Sequence, residues 1–242
     1  MVTIQCRNKI FNNIEAILFD KNGTLEDSDS YLRSLAQRGA RMIDAQVPGV
    51  GEPLLMAFGV NGGSIDPAGL MAVASRWETE VAAAAYIAET GKSWFESRQI
   101  ARQTLDEADK YVRDIPSPLF TGCLQLLKNL SAAGLKLGIL SAATTSDVQN
   151  FVRSHHLSDY IELEMGVDGE VSKPNPKLFL EACKRLGMEP SVTLMVGDSV
   201  GDMTMGKNAG AAGCIGITWV GKVDHVGGAD VVINRLDEIE VV

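Results

Sequence analysis

Two patterns of apolar and polar positions divide this chain. In the first, short unbroken apolar runs stop abruptly at polar or glycine-rich turns. Ile14 to Asp20 is such a run, wholly apolar from Ala16 to Phe19, and it ends in a carboxylate followed by the turn Lys21-Asn22-Gly23. Similar runs at Leu135 to Leu140, Ile161 to Met165, Val192 to Val196, Cys214 to Thr218 and Val231 to Ile233 read as further buried strands. Between them lie stretches with helical spacing: Leu119 to Ala133 with Gly134 at its end, Ser146 to His156, Pro176 to Leu186 with Gly187 as its stop, and a shorter one reaching about Ala211. Strands alternating with helices of this length predict parallel βαβ units, hence an α/β fold with a Rossmann-like parallel sheet. Residues 1–13 are polar and mixed, and read as a lead-in to the first strand.

The second pattern is helical without interruption. Tyr31 to Val47 spaces Leu32, Leu35, Ala36, Met42 and Ile43 along one helix face before Pro48-Gly49 stops it. Leu54 to Val60 continues as helix until Asn61-Gly62-Gly63. Asp66-Pro67 opens an alanine-rich helix from about Ala68 to Ser75, and two more are expected from about Glu78 to Glu89 and from Trp94 to Asp114. No strand pattern breaks Glu26 to Ile115. The expected organisation is therefore an α/β core formed by residues 1–25 and 116–242, interrupted by an inserted all-helical cap, residues 26–115. Met42, Met56, Trp77 and Trp94 are expected to pack in the helical core of that cap.

Composition narrows the function. The chain has 242 residues, 45% hydrophobic and 22% charged, ordinary values for a folded protein with one or two cores. Its formal net charge of −9 argues against broad binding to nucleic acid or an anionic membrane, so an anionic substrate requires a locally basic pocket. Cys6, Cys123, Cys183 and Cys214 lie far apart with no Cys-x-x-Cys pair, which gives metal or redox use little support. No stretch approaches about 18 uninterrupted apolar residues, and no signal-peptide pattern opens the chain, so a soluble cytoplasmic setting is expected. His155, His156 and His225 read as surface or loop residues.

The candidate chemistry sits where strands end. In open α/β sheets ligands bind beyond the carboxyl ends of strands, which turns Asp20 toward a crevice. Ser141 closes Leu-Gly-Ile-Leu-Ser, Lys173 stands in Val-Ser-Lys-Pro-Asn-Pro, and Asp198 and Asp202 stand in Val-Gly-Asp-Ser-Val-Gly-Asp-Met. Each alone has a plainer reading: a turn at Asp20, a strand-end serine, a solvated loop lysine, a helix cap at Asp198 to Asp202. Their conjunction, in order and at strand ends, favours a site.

The stretch Ile17-Leu18-Phe19-Asp20-Lys21-Asn22-Gly23-Thr24-Leu25 resembles motif I of the haloacid dehalogenase superfamily, and Ser141, Lys173 and the Asp198/Asp202 pair resemble motifs II, III and IV in family order. The resemblance spans almost the entire chain and is nearest to the phosphoglycolate phosphatase-like branch, whose helical caps close over small phosphorylated metabolites. It implies that Asp20 is a nucleophile forming an aspartyl-phosphate, and that Mg2+ is held by Asp20, Asn22 through its backbone carbonyl, Asp198 and Asp202. It further implies that Gly23, Thr24, Ser141, Ala142 and Lys173 surround the phosphoryl group. The implied partner is a small phosphorylated metabolite, with no nucleic acid and no membrane, in a monomer or homodimer. Arg33, Arg38, Arg41, Arg76, Arg98 and Arg102 are candidates for reading a second anionic group, although arginines on helix surfaces are mostly solvated.

Asn22 departs from the family pattern, in which this position is a second Asp acting as general acid and base. Asn keeps the backbone carbonyl and loses the carboxyl. General acid–base catalysis is worth about 10² to 10⁴ in rate, so Asn22 predicts a slow phosphatase or a stalled phospho-enzyme. Three explanations compete: a variant or engineered residue in an ordinary phosphatase, a natural residue in a relative with other chemistry such as dehalogenation, or a catalytically weak module that binds a phosphorylated ligand. Deamidation of Asn22-Gly23 is a further chemical route to aspartate.

Overall fold

The computed structural model of the chain describes residues 1–112, 116–219 and 224–242. In chain order the strands and helices are β1 Val2–Cys6, β2 Lys9–Ile14, β3 Ala16–Phe19, α1 Asp29–Gln46, α2 Gly51–Ala57, β4 Val60–Asn61, β5 Ser64–Ile65, α3 Leu70–Val73, α4 Arg76–Glu89 and α5 Trp94–Val112. They continue as α6 Cys123–Ala132, β6 Lys136–Leu140, α7 Thr145–Ser154, β7 Leu163–Met165, α8 Pro176–Leu186, β8 Thr193–Gly197, α9 Val200–Ala209, β9 Gly213–Ile217, β10 Val231–Ile233 and β11 Ile239–Val241. The chain divides into two compact units, one of Met1–Asp27 with Pro118–Val242 and one of Ser28–Ser117. The expected end of the last cap helix at Asp114, and the expected domain limit at Ile115, lie outside the described residues.

The first unit is α/β, as the alternation of runs and helices predicts. Its six-stranded sheet runs β10-β9-β8-β3-β6-β7, with every pairing parallel. β3 sits at the centre because it is apolar on both faces. Ile17 and Phe19 join one core with Leu126, Leu127 and Leu130 of α6 and Val148 and Phe151 of α7. Ala16 and Leu18 join the other with Phe179 and Ala182 of α8 and Met203 and Met205 of α9. A strand covered on both faces reads as a continuous apolar run. The chain leaves β3 for distant elements and returns to both of its sides, so the crevice beyond its carboxyl end is the expected ligand position for a doubly wound sheet.

The lead-in reading of residues 1–13 is corrected by the structure. β1 and β2 form an antiparallel hairpin, and β11 pairs with β1 to make a three-stranded sheet. Ile4, Cys6, Phe11, Ile14 and Ile239 are its buried members and reach the first core. Few apolar residues spread over two strands leave no continuous run to read, and β11 is too distant in sequence to be anticipated. Ile14 to Asp20 is also two elements, since β2 ends at Ile14 and β3 begins at Ala16.

The second unit is mainly helical, with a core built from Leu32, Leu35, Ala36 and Ile43 of α1, Ala83, Ala84 and Ile87 of α4 and Ala101, Leu105 and Ala108 of α5. Alanines on α4 and α5 and Gly39 on α1 let the helices approach closely; a Cβ at Gly39 would lie 2.8 Å from Leu105 Cδ2. Ser75 and Glu78 form a capping box that starts α4. Two readings are corrected here. The Asn61-Gly62-Gly63 break is the turn of a small antiparallel hairpin, β4 with β5, because consecutive glycines permit the reversal that a helix cannot make. Met56, Trp77 and Trp94 are exposed rather than in the core, and only Met42 packs against it. Small residues occupy the helix–helix seams, which leaves no room there for the larger side chains.

Candidate active site

The site is assembled by strand ends. Parallel pairing sets Phe19 level with Ile139 on one neighbour and with Val196 on the other, so Asp20, Ser141 and Asp198 all emerge at the carboxyl edge of three adjacent strands. The Asp20 amide donates to the Val196 carbonyl at 2.8 Å, which extends the β3–β8 pairing into the site. Carboxylate oxygens of Asp20, Asp198 and Asp202 lie within 4.8 Å of one another. Lys173 reaches this group from the segment before α8, with its Nζ 2.6 Å from Asp20 Oδ1 and 2.6 Å from Asp202 Oδ1.

The cap reading of the Asp198 to Asp202 segment is also correct as far as it goes. Asp202 Oδ2 accepts from the Ser199 hydroxyl at 2.6 Å and from its amide at 3.2 Å, which closes a capping box at the start of α9. Only one Asp202 oxygen is used this way. The other faces Lys173, so one side chain both starts the helix and faces the acidic cluster.

Close approach of the turn after β3 depends on glycine. Gly23 has φ of +72°, and a Cβ there would lie 2.0 Å from Asp198 Oδ2. Both the left-handed backbone and the lack of a side chain are therefore needed to bring Gly23 against Asp198. The turn is wound on the Lys21 carbonyl, which accepts from Leu25 N at 2.9 Å and Glu26 N at 3.0 Å. Trp219, stacked on Phe120 with ring centroids 3.9 Å apart, donates its indole N–H to the Gly23 carbonyl at 2.8 Å. The buried Thr24 hydroxyl has no hydrogen-bond partner among the described residues. Ser141 is buried at the end of β6, where its Oγ accepts from the Ala143 amide at 3.2 Å, with Ala142 between them.

Electrostatics mark this cluster out. Burial, more than any other influence, pushes the Asp20 carboxyl above its ordinary value; Lys173 opposes the shift and Asp202 adds to it. Asp198 is held well above the carboxylate range by burial first, then by repulsion from Asp20 and Asp202. Burial alone would lower the Lys173 ammonium, but the carboxylates of Asp20 and Asp202 outweigh it and hold the ammonium above its usual value. With all three carboxyls ionised, the single ammonium would leave a surplus of two negative charges, which one divalent cation would offset. Oxygen donors alone, with waters completing the shell, are the ligand set suited to Mg2+. The residues present therefore fit such an ion.

One consequence is a stability effect. A carboxyl raised in the folded state contributes stability below its unfolded value of 3.8 and loses it as pH rises through the folded value. At neutral pH without metal, Asp198 is thus a destabilising group. Asp198→Asn is expected to raise the Tm measured in a chelator at pH 7, by about 2–4 °C for each kcal/mol of desolvation and repulsion removed, and to lose this advantage below the carboxylate range. If Mg2+ binds the cluster, adding it should raise the Tm of the wild-type chain, and the same substitution should abolish that rise.

The arginine candidates all belong to the second unit. Within the cap unit, Arg33 pairs with Asp29 at 3.6 Å, Arg76 with Glu80 at 2.9 Å and Asp106 at 2.7 Å, and Arg38 lies 4.5 Å above the Tyr111 ring. Arg41, Arg98 and Arg102 are exposed. All four cysteines are buried and free, and burial pushes the Cys214 thiol up to about 11, so none is disposed to react as a thiolate. Lys21, Glu26 and Trp219 were not anticipated. For Lys21 a signal existed, a cation set directly after a buried strand, with Glu26 one turn further on.

This fold and site define a class. The haloacid dehalogenase-like hydrolase family matches residues 14–210, and the chain belongs to that family. Among curated relatives, the phosphoglycolate phosphatase of Salmonella typhi is 29% identical over 246 residues, covering 96% of this chain and 93% of the relative. The N-acetylmuramic acid 6-phosphate phosphatase of Pseudomonas putida is 25% identical, covering 95% and 96%. Among solved structures, a predicted phosphoglycolate phosphatase from Haemophilus somnus superposes with a TM-score of 0.68 at 18% identity, covering 93% of this chain and 96% of the other, which bears on the fold alone. No described helix is long and apolar enough to cross a membrane.

Proposed function

We propose that this haloacid dehalogenase-like hydrolase is a Mg2+-dependent phosphatase of small phosphomonoesters, acting through a phosphoryl group carried on Asp20 and slowed by Asn22. The observation that carries the reading is Lys173 bridging Asp20 and Asp202 beside Asp198, an acidic cluster with one fixed cation at the ends of adjacent parallel strands. The two phosphatase relatives that align over nearly the whole chain support a phosphorylated small molecule as substrate.

In this account an Asp20 carboxylate oxygen attacks phosphorus, the ester P–O bond breaks, and the alcohol departs with a proton. Water then attacks phosphorus, the bond to Asp20 breaks, and phosphate leaves. Lys173 favours the ionised form of Asp20 and offsets charge on the phosphoryl oxygens. The Ser141 hydroxyl, the Ala142 region and the turn at Gly23 and Thr24 supply hydrogen bonds to those oxygens. Asp20, the Asn22 carbonyl, Asp198 and Asp202 would hold Mg2+, which when bound neutralises the approach of two anions. Asn22 can donate a hydrogen bond toward the leaving oxygen but cannot deliver a proton, so water must do so. Phosphate release from a panel of small phosphomonoesters should vanish after chelation and return with Mg2+. Metal-independent release would sink the reading, and release of halide from a haloacid instead would favour the dehalogenase alternative.

A further inference from the structure

Lys21 follows Asp20 directly, and its ammonium is held by other residues. It is buried, and its ammonium contacts the carboxylate of Glu26 and the side-chain oxygen of Asn22. The Phe151 ring lies on a further side, 5.4 Å from Nζ to the ring centroid. Glu26 is itself buried, and its amide donates to the Lys21 carbonyl at 3.0 Å, so main chain and side chain of residue 21 are tied to the same residue. Gly23 N donates back to the Glu26 carbonyl at 2.9 Å, and Phe120 N holds the Leu25 carbonyl at 3.0 Å. The ammonium is therefore fixed from several directions within a rigid turn.

We infer that Lys21 is a positioning residue that sets the orientation of the Asn22 side chain. The inference rests on the phosphatase reading of this site. An ammonium has donors and no acceptor, so the end of the amide it meets must be the carbonyl oxygen. That leaves the NH₂ group as the end available to the site. Position 22 is thereby committed as a donor, suited to a phosphoryl or leaving-group oxygen, and unsuited to accept a proton from water. A free Asn could present either end, because rotation about its last torsion is broad and two-fold. The pair of Lys21 with Glu26 removes that freedom. Its burial would otherwise be hard to understand, because an ion pair taken out of water is seldom worth its desolvation in stability alone.

The test is a double-mutant cycle on kcat. One arm replaces the ion pair by apolar residues of similar size, Lys21→Met/Glu26→Met, so that no unpaired charge is left buried. The other removes the donor, Asn22→Ala. In the wild-type background Asn22→Ala should lower kcat by about three- to tenfold, the worth of one oriented hydrogen bond, with KM little changed. In the Lys21→Met/Glu26→Met background the same substitution should change kcat by less than about twofold. Equal effects of Asn22→Ala in both backgrounds, whatever happens to Tm, would overturn the inference. If no form releases phosphate from any ester, the phosphatase reading fails, and crystal structures of the wild-type and Lys21→Met/Glu26→Met chains then decide. Asn22 held with its carbonyl on Lys21 in the first and turned or spread over two orientations in the second supports positioning; one unchanged orientation in both refutes it.

Discussion

Asp20→Ala is expected to reduce phosphate release by on the order of 10⁴-fold or more, the scale at which removal of a covalent nucleophile is felt. The size follows from what Asp20 does at once. In the proposed mechanism it supplies the oxygen that attacks phosphorus, and in the structure it closes the acidic cluster and holds the Lys173 ammonium at 2.6 Å. No neighbouring group replaces it, since Asp202 is committed through one oxygen to the cap of α9. The folded chain should tolerate the change, because a buried carboxylate pushed up by desolvation is removed along with its repulsion. A variant that stays folded by circular dichroism, with unaltered Tm or a higher one, and that still hydrolyses esters at a rate near that of the wild-type chain would contradict the assignment.

Asn22→Asp is expected to act in the opposite direction and raise turnover by about 10² to 10⁴, the range of general acid–base catalysis. A carboxylate has two oxygens, so Lys21 can hold one while the other carries a proton between leaving group and water. The gain should lie mainly in kcat, because the group acts on breaking and forming bonds rather than on ground-state binding. Rates for the two forms on the same ester panel, at saturating substrate and Mg2+, measure it. Equal rates would mean that the slow step lies elsewhere or that position 22 plays no part in proton transfer.

Much of this account was legible in the residues because the informative signals were local. A strand apolar on both faces, such as Ala16–Phe19, has no alternative reading as a surface element, and the carboxylate that ends it marks the sheet edge. Helix stops at Gly187 and the proline start of α8 at Pro176 are equally local, since each reflects a backbone torsion of one residue. What escaped was non-local. The β1–β2 hairpin is stabilised by β11, more than 220 residues away, and its apolar residues are too sparse to form a run. The exposed Trp77 and Trp94 went the other way: helical spacing places a residue on a face, but which face is buried depends on the small residues of neighbouring helices. At the site, Asp20, Lys173, Asp198 and Asp202 were anticipated from strand ends and family order, and the structure brings them together. Lys21 and Glu26 were not, because the sequence gives their spacing but not the direction in which the turn folds their side chains.

Phosphate is proposed to pass through a phosphoryl group on Asp20. Asn22 offers a donor to the leaving oxygen but no base for the attacking water, so breakdown of the phosphorylated chain should be slowed more than its formation and that form should accumulate during turnover. Incubation with Mg2+ and a small phosphomonoester, followed by rapid acid quench, intact mass and peptide mapping, tests this directly. One added phosphoryl group is expected, on the peptide containing Asp20, lost on treatment with hydroxylamine and absent in Asp20→Ala. Ester hydrolysis with no phosphoryl group on that peptide at any time, or with one on a different residue, would contradict it.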